Sequence, residues 1–281
     1  RALICAALLA ACDILLFSAT IARNDALPGA LLACALWAAI RIARGDHARW
    51  LSLLAGAALA GAAAAKISYA LPAAAYGCYA LVDRRHPPLA LIAGALPACA
   101  LVAFSYIQAP AAFVFGVLQF PADAPAEYYR AIGRPEKLSL GFKLIDLAKF
   151  LALGAALPAI VLVLRHRPRG PAARLCAVFL AAGLLAAALP SPTWRQYLLP
   201  VLPPLFVLTA LTWNDAAPDR RWRAAFALFT LAGLAPTLIA LGQGKPAMPA
   251  AMAESHAIRT ALDRAGIAGS IATLSPQFLP G

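Results

Sequence analysis

The stretch Ala-Arg-Asn-Asp-Ala-Leu-Pro-Gly, residues 22–29, is a short charged turn between two long apolar runs. Similar runs fill most of the chain, because 63% of its 281 residues are apolar, 13% are charged, and the mean hydropathy is +0.77. A soluble domain has roughly half apolar and a quarter charged residues. The pattern therefore predicts an all-α polytopic membrane protein, and continuous rather than alternating apolar runs exclude a transmembrane β-barrel.

Nine apolar segments are predicted membrane spans, namely residues 2–20, 26–42, 50–65, 67–82, 88–107, 144–164, 173–190, 197–213 and 224–243. Several are short for a hydrocarbon core of about 30 Å, so we expect them to extend into neighbouring polar residues or to lie inside the bundle. Alanine and glycine are frequent in them, as in residues 54–61. Small residues let helix backbones approach closely in lipid, so we interpret these glycines as packing positions.

Arginines in alternating connections predict the orientation of the chain. They lie in four short segments, at residues 41–49, 84–85, 165–174 and 220–223. Short connections rich in arginine and lysine stay in the cytoplasm. The connections that alternate with them then face outward, and so does the tail, at residues 21–25, 65–67, 108–143, 190–196 and beyond 243.

The predicted domains are a transmembrane helical domain, 1–245, and the start of a small extracytoplasmic α/β domain, 246–281. Apolar residues at helical spacing predict a helix over about 250–265, and Gly266 is a typical helix stop. Residues 270–274 read as a strand. The tail therefore resembles the opening of a soluble domain.

The outward turns contain the charges that basic inner loops do not explain. Asp25 is a candidate acid/base or acceptor-orienting group, and Arg23 is a candidate contact for an anionic donor. Lys66 supplies almost the whole of the next outer turn, and its compact ammonium group suits a phosphate. The alternatives are an ordinary solvated turn for Arg23 and Asp25, and a lysine that reaches to the membrane surface for Lys66.

The third outer cluster begins at Arg195, whose guanidinium can bind a phosphate through two parallel hydrogen bonds. Tyr197 can add a hydroxyl, although Trp194 and Tyr197 are equally typical of an aromatic belt at the membrane surface. Asp13 lies well inside the first span, where a charge normally faces the bundle interior. We expect either an ion pair of Asp13 with Lys66 or Arg23, or a protonated carboxyl group.

Several other chemistries lack their sequence signals. The chain has no G-x-x-x-x-G-K-[ST] loop, no H-E-x-x-H motif and no G-x-S-x-G motif, and its four histidines do not cluster. The net charge of +12 is explained by basic inner loops and by a site suited to a phosphate-bearing substrate. No nucleic-acid partner is therefore expected. No cofactor is indicated, and dependence on a divalent metal stays open.

The ordered motifs Arg23-x-Asp25, Gly61-x4-Lys66 and Arg195-x-Tyr197-Leu-Leu-Pro resemble those of the GT-C glycosyltransferases. The resemblance is to the bacterial branch related to protein O-mannosyltransferases and to the lipid A aminoarabinose transferase. It covers nearly the whole chain, and its specificity lies in the order of three short motifs. Asp13 departs from the family pattern, in which an uncharged stretch is commoner at that point.

The resemblance implies an enzyme of the bacterial plasma (inner) membrane that works on the periplasmic face. It implies an inverting transfer of a sugar from a polyprenyl-phosphate donor to a lipid, glycan or protein acceptor. Asp25 matches the second acidic position of the family, while Lys66 and Arg195 match positions that face the donor phosphate. The main catalytic acid of the family would lie before Arg1, because we interpret the chain as a piece of a longer protein.

A transporter or flippase of a lipid-linked or anionic substrate is the alternative function. Such proteins often consist of repeated halves and place charges near the bilayer midplane. The sequence shows no repeat, and apart from Asp13 the candidate charges lie at one face. These two features favour the enzyme.

Overall fold

The computed structural model describes residues 1–20, 25–215, 218–243 and 247–266. Within these ranges the chain is mostly helical and contains no strand. Its first α-helices are α1 (Ala2–Ala10), α2 (Asp13–Thr20), α3 (Ala26–Ala43), α4 (Ala48–Ala65), α5 (Ala70–Val82), α6 (Pro88–Gln108), α7 (Pro110–Val114) and α8 (Phe120–Ala131). They are followed by α9 (Leu140–Ala152), α10 (Ala156–His166), α11 (Pro171–Ala188), α12 (Leu202–Asp215), α13 (Arg220–Gly242) and α14 (Ala247–Arg264).

Shorter helical turns complete several of these elements. The 3-10 turn Ile67–Tyr69 leads into α5, and the 3-10 segment Arg195–Val201 leads into α12. A π-helical segment, Phe115–Gln119, joins α7 to α8, and the 3-10 turn Pro135–Leu138 precedes α9. The helical stretch Arg195–Asp215 is therefore continuous, and it begins with the predicted Arg195 motif.

Six helical stretches in the described residues are long and apolar enough to cross a membrane: α3, α4, α6, α11, Arg195–Asp215 and α13. Two further candidates are bent pairs, α1 with α2 at 64° and α9 with α10 at 94°, which raises the number to eight. The predicted span 67–82 is a shorter apolar helix, Ile67–Val82. These helices support an integral membrane protein, and the count of nine spans stays a prediction.

Close contact of α4 with α6 depends on two glycines. A Cβ atom added at Gly56 would overlap the carbonyl oxygen of Leu91, and one added at Gly94 would overlap that of Leu53. The two backbones therefore touch, which only glycine permits at these positions. The interpretation of the glycines as packing positions is confirmed for Gly56.

The apolar core lies between α3, α11, α12 and the 3-10 segment Arg195–Val201. Its large side chains become buried because these helices present apolar residues to one another; they include Leu32, Leu36, Leu175, Phe179, Leu198, Leu202 and Leu205. Two close approaches hold the 3-10 segment in place. Leu199 lies against Gly29 at the start of α3, and Pro200 lies against Gly183 of α11.

The two bent pairs contact each other at their breaks. The backbone N–H of Asp13 donates to the carbonyl oxygen of Leu153 at 3.0 Å, so a hydrogen bond joins the break of one pair to the break of the other. Gly154 has a φ of +132°, and a Cβ there would lie 2.7 Å from the Cα of Cys12. Gly233 of α13 approaches the same point, because its Cβ would lie 2.6 Å from the carbonyl oxygen of Ala11.

The chain divides into two compact units, Arg1–Ala235 and Pro236–Gly281. In the second unit α14 ends at Arg264, and Gly266 has a φ of +66°, as expected for a helix stop. Of the apolar residues whose spacing predicted this helix, Ile258 and Leu262 are half-buried. The predicted strand 270–274 lies outside the described residues, and the predicted domain limits stay a prediction.

A buried histidine lies in the predicted inner connection between α5 and α6. His86 is 0% exposed, shares a hydrogen bond of 2.8 Å with the Tyr76 hydroxyl, and lies edge-on to the rings of Tyr76 and Tyr79. Its Nε2 atom is buried without a hydrogen-bond partner in the described residues. Burial lowers the pKa of His86, an effect that Arg85 reinforces and Asp83 opposes.

Stability in detergent is expected to fall on acidification because of His86. Above its unfolded-state pKa of about 6.5 the imidazole is neutral in both states, and below that value only the unfolded state binds the proton readily. The loss grows as the pH falls toward the folded-state pKa, by at most about 1.4 kcal/mol per pH unit. Unfolding temperatures between pH 8 and pH 5 should show a weaker pH dependence in His86→Gln, whereas the exposed His166→Gln control should match the wild type.

Candidate functional site

Two ion pairs form at the predicted outer end of the first unit. The ammonium group of Lys66 donates to the carboxylate of Asp25, and Arg195 Nη1 donates to Asp13 Oδ2 at 2.8 Å. Both carboxylates are buried, whereas the side chains of Lys66 and Arg195 are 18% and 32% exposed. In each pair the cation is therefore more exposed than its carboxylate.

Helix ends place the first pair. Asp25 immediately precedes α3, and Lys66 immediately follows α4. A carboxylate is stabilised at a helix N-terminus and an ammonium group at a C-terminus, because the helix dipole is positive at the first and negative at the second. Since α3 and α4 are joined by one tight turn, their far ends meet, and the two residues come together across 41 positions of sequence.

The second pair depends on the break between α1 and α2. Asp13 is the first residue of α2, and Phe17 lies one helical turn further on. The guanidinium of Arg195 contacts both, because its central carbon lies 3.8 Å from the Phe17 ring centroid. Asp13 therefore pairs with Arg195, which the 3-10 segment holds beside the start of α2, whereas the expected partner Lys66 pairs with Asp25. The other expected partner, Arg23, lies outside the described residues.

Tyr197 connects the two pairs. Its ring centroid lies 5.3 Å from the Lys66 ammonium nitrogen, and Trp194 stacks on it at 5.9 Å with an interplanar angle of 13°. An ammonium group over an aromatic ring is attracted by the ring's negative face. Tyr197 lies two residues after Arg195 in the same 3-10 segment, so it links the Lys66–Asp25 pair to the segment that holds the Arg195–Asp13 pair. The predicted site residue Arg23 lies outside the described residues.

An apolar cavity of about 850 Å³ has Lys66, one member of this charged cluster, in its lining. Its walls come from α4, the turn after Lys66, α5, α6 and the stretch 113–121. Among the described residues that line this cavity, Lys66 is the only charged one. The other lining residues are apolar or small, apart from the thiol of Cys99. A lipid chain fits such walls, with an anionic head group beside the ammonium group.

A second cavity of about 390 Å³ adjoins the first, since Pro121 lines both. It lies between α8, the turn after it and residues 189–191, and its lining includes Arg130 and Ser191. This cavity is more polar in its residues than the first. Residues 189–191 lie in or next to the predicted outer connection that contains Arg195.

Sequence reasoning missed several members of the site. Phe17 follows Asp13 at the i, i+4 spacing that places both on one face of a helix, and this spacing was the signal available. The buried hydroxyls of Ser68 and Tyr69 directly follow Lys66, and they have no hydrogen-bond partner in the described residues. Nothing in the sequence pattern indicated either cavity.

Among the described residues, no group of three or more His, Cys, Asp or Glu side chains is placed to hold a metal ion. Comparison of the chain with protein-family models, with curated proteins and with solved structures gives no match. The site is therefore interpreted from its own geometry, which consists of two ion pairs with buried carboxylates, an aromatic side chain between them and an apolar cavity lined by a lysine.

Proposed function

We propose that this protein is a membrane glycosyltransferase that transfers a sugar from a polyprenyl-phosphate donor to an acceptor. We place the reaction at the periplasmic face of the bacterial plasma membrane, with inversion at the sugar carbon as the motif resemblance implies. The observation that carries the proposal is the position of Lys66, in the lining of an apolar cavity of about 850 Å³ and beside Tyr197 and Asp25.

The donor that this arrangement favours has an isoprenoid tail and an anionic head. Ligand cavities usually measure about 300–1,000 Å³, and the apolar cavity lies within this range. Its walls would bury isoprene units of the tail, while the Lys66 ammonium group meets the phosphate. Arg195 supplies further donors, because its guanidinium is partly exposed and makes one hydrogen bond, to Asp13, among the described residues.

The transfer step is a displacement at the anomeric carbon of the sugar. The acceptor oxygen bonds to this carbon, the bond from the carbon to the phosphate oxygen breaks, and its electron pair leaves with that oxygen. The products are the glycosylated acceptor and polyprenyl phosphate, and the acceptor proton passes to a carboxylate. Lys66 and Arg195 stabilise the charge that develops on the leaving phosphate. Stabilisation of developing charge by fixed groups is usually the largest single contribution to catalysis.

Asp25 is the carboxylate that we assign to the acceptor side in the described residues. One of its oxygens accepts from Lys66, and the other is left to orient or deprotonate an acceptor hydroxyl. The acceptor, a lipid, a glycan or a protein, would approach from the second cavity, which adjoins the donor cavity at Pro121. Arg23 precedes Asp25 by two residues, and we propose that it also meets the donor.

Replacing Asp25 with asparagine is expected to reduce transfer at least about 100-fold, because acid–base groups commonly contribute 10²–10⁴. Donor binding should persist, since Lys66 and Arg195 remain. The measurement is transfer of radiolabelled sugar from a polyprenyl-phosphate donor in membranes that contain the whole protein. Asp46→Asn is the matched control, because it removes a carboxylate that pairs with Arg41 in the opposite turn. Unchanged transfer in Asp25→Asn would contradict the role of Asp25 and favour the alternative, an ordinary solvated turn at residues 23–25.

A transporter or flippase is the second candidate, and the contact between the two bent pairs favours it. Discontinuous helices that meet at their breaks are typical of transporters, where the broken ends form the substrate site. Purified protein in proteoliposomes distinguishes the two functions. Translocation of a labelled lipid-linked sugar without any transfer product would support the transporter and contradict the enzyme.

A further inference from the structure

We infer that Asp13 is a built-in counter-ion that makes the anion site prefer a phosphodiester to a phosphate monoester, and thereby speeds product release. The inference rests on the proposed function, because it concerns the same donor phosphate. It assigns a positioning role to Asp13, for which the sequence predicted an ion pair with Lys66 or Arg23 or a protonated carboxyl group, and which departs from the family pattern.

The geometry gives the carboxylate of Asp13 a fixed place behind the cation. Asp13 is buried, and its Oδ2 accepts from Arg195 Nη1 at 2.8 Å, the distance of a charge-assisted hydrogen bond. It is held there from the backbone as well, through its N–H and the carbonyl oxygen of Leu153. Phe17 covers one face of the guanidinium, so a phosphate approaches Arg195 at its exposed edge while Asp13 remains on the inner side.

The charges of the site explain why this placement discriminates between ligands. Among the described residues, Asp13, Asp25, Lys66 and Arg195 form two neutral pairs, and removing the Asp13 carboxylate raises the charge of the site by one unit. The donor is a phosphodiester with a single negative charge, and the product is a monoester whose charge at pH 7 is about −1.5 to −2. A fixed negative charge behind Arg195 repels the product more strongly than the donor.

This discrimination favours turnover. A site with an uncompensated positive charge would bind the polyprenyl phosphate product more tightly than the donor, and release would then limit the rate. With Asp13 present, the monoester product with its second negative charge is held less tightly than it would be without the carboxylate. Asp13 therefore acts through Arg195 and does not itself touch the reacting atoms.

The test compares two lipids that differ in one phosphate ester. The probes are decaprenyl phosphate, a monoester, and its methyl phosphodiester, each bound to the whole protein in nanodiscs at pH 7.5. In Asp13→Asn we expect the affinity for the monoester to rise at least about tenfold and the affinity for the diester to rise by a clearly smaller factor. At pH 5, where the monoester carries about one charge, the two probes should behave alike.

Further variants separate this role from a structural one. Asp13→Asn leaves the partly buried guanidinium of Arg195 without its carboxylate, so we expect this variant to be less stable. The rise in unfolding temperature on adding each probe then reports binding of that probe. Asp13→Glu should restore the wild-type preference, and Asp13→Asn/Arg195→Gln should lose the gain for the monoester. An equal change for both probes, or no change, would overturn the inference, whereas a wild type that binds neither probe would instead contradict the proposed function.

Discussion

Replacing Lys66 with glutamine is expected to lower sugar transfer from a polyprenyl-phosphate donor by at least about 100-fold, because removal of one preorganised group that stabilises developing charge costs about 10²–10³ in rate. Lys66 lines the apolar cavity and lies over the Tyr197 ring, so its ammonium group is the cation nearest to a lipid chain held in that cavity. The loss should appear both in turnover and in donor binding.

Lys149→Gln is the matched control for this experiment. Lys149 also lies over an aromatic ring, with its ammonium nitrogen 5.3 Å from the Phe150 centroid, and it is exposed on α9. Its replacement should leave transfer unchanged. Wild-type transfer in both Lys66→Gln and Arg195→Gln would contradict the proposal that these cations hold the donor phosphate.

Stability must be measured alongside transfer, because Lys66→Gln leaves the Asp25 carboxylate buried without its partner. Removing one member of a buried ion pair costs about 3–5 kcal/mol, and the 18% exposure of the Lys66 side chain places the expected cost at or below the lower end. The double variant Lys66→Gln/Asp25→Asn removes both charges, and it should therefore regain stability without regaining transfer. This outcome would separate the role of the cation in binding from its role in folding.

Replacing Gly154 with alanine is expected to destabilise the protein by about 3 kcal/mol or more. Its φ of +132° is a conformation that L side chains rarely adopt, which costs about 1–3 kcal/mol. The new methyl group would also lie 2.7 Å from the Cα of Cys12, a backbone atom that cannot move without shifting the break between α1 and α2. Overpacking of this kind adds about 1–3 kcal/mol.

Gly170→Ala isolates the steric part of the Gly154 effect. Gly170 also has a positive φ, +110°, but a Cβ there would have nothing within 4 Å. Thermal unfolding in detergent should show the larger loss in Gly154→Ala, together with weaker donor binding, since Asp13 and therefore Arg195 depend on this break. Equal losses in the two variants would show that the crossing is not tightly packed.

Helix positions followed from composition and periodicity because they are local properties. The predicted segments 26–42, 50–65 and 88–107 correspond to α3, α4 and α6 within a few residues. The bends at residues 11–12 and 153–155 were not predicted. Apolar runs of about 20 residues look continuous by hydropathy, although Gly154 within such a run was a signal for a break.

The candidate site was predictable to the same degree and for the same reason. Asp25, Lys66 and Arg195 stand out because charges beside apolar runs are few, and the structure brings all three to one end of the first unit. The pairing of Asp13 was not predictable, since its partner lies 182 residues away and is reached only through the packing of Leu199 and Pro200. Arg23 stays a prediction.

By itself, the sequence determined that this is a helical membrane protein with a small set of charges at its predicted outer turns, because hydropathy and charge act residue by residue. The tertiary structure alone decided which acid meets which cation, where an apolar cavity forms, and which glycines cannot be replaced. Those features arise where distant backbones come within contact distance, as Gly154 and Cys12 do. A contact of this kind depends on the mutual position of two helices, which neither helix specifies in its own sequence.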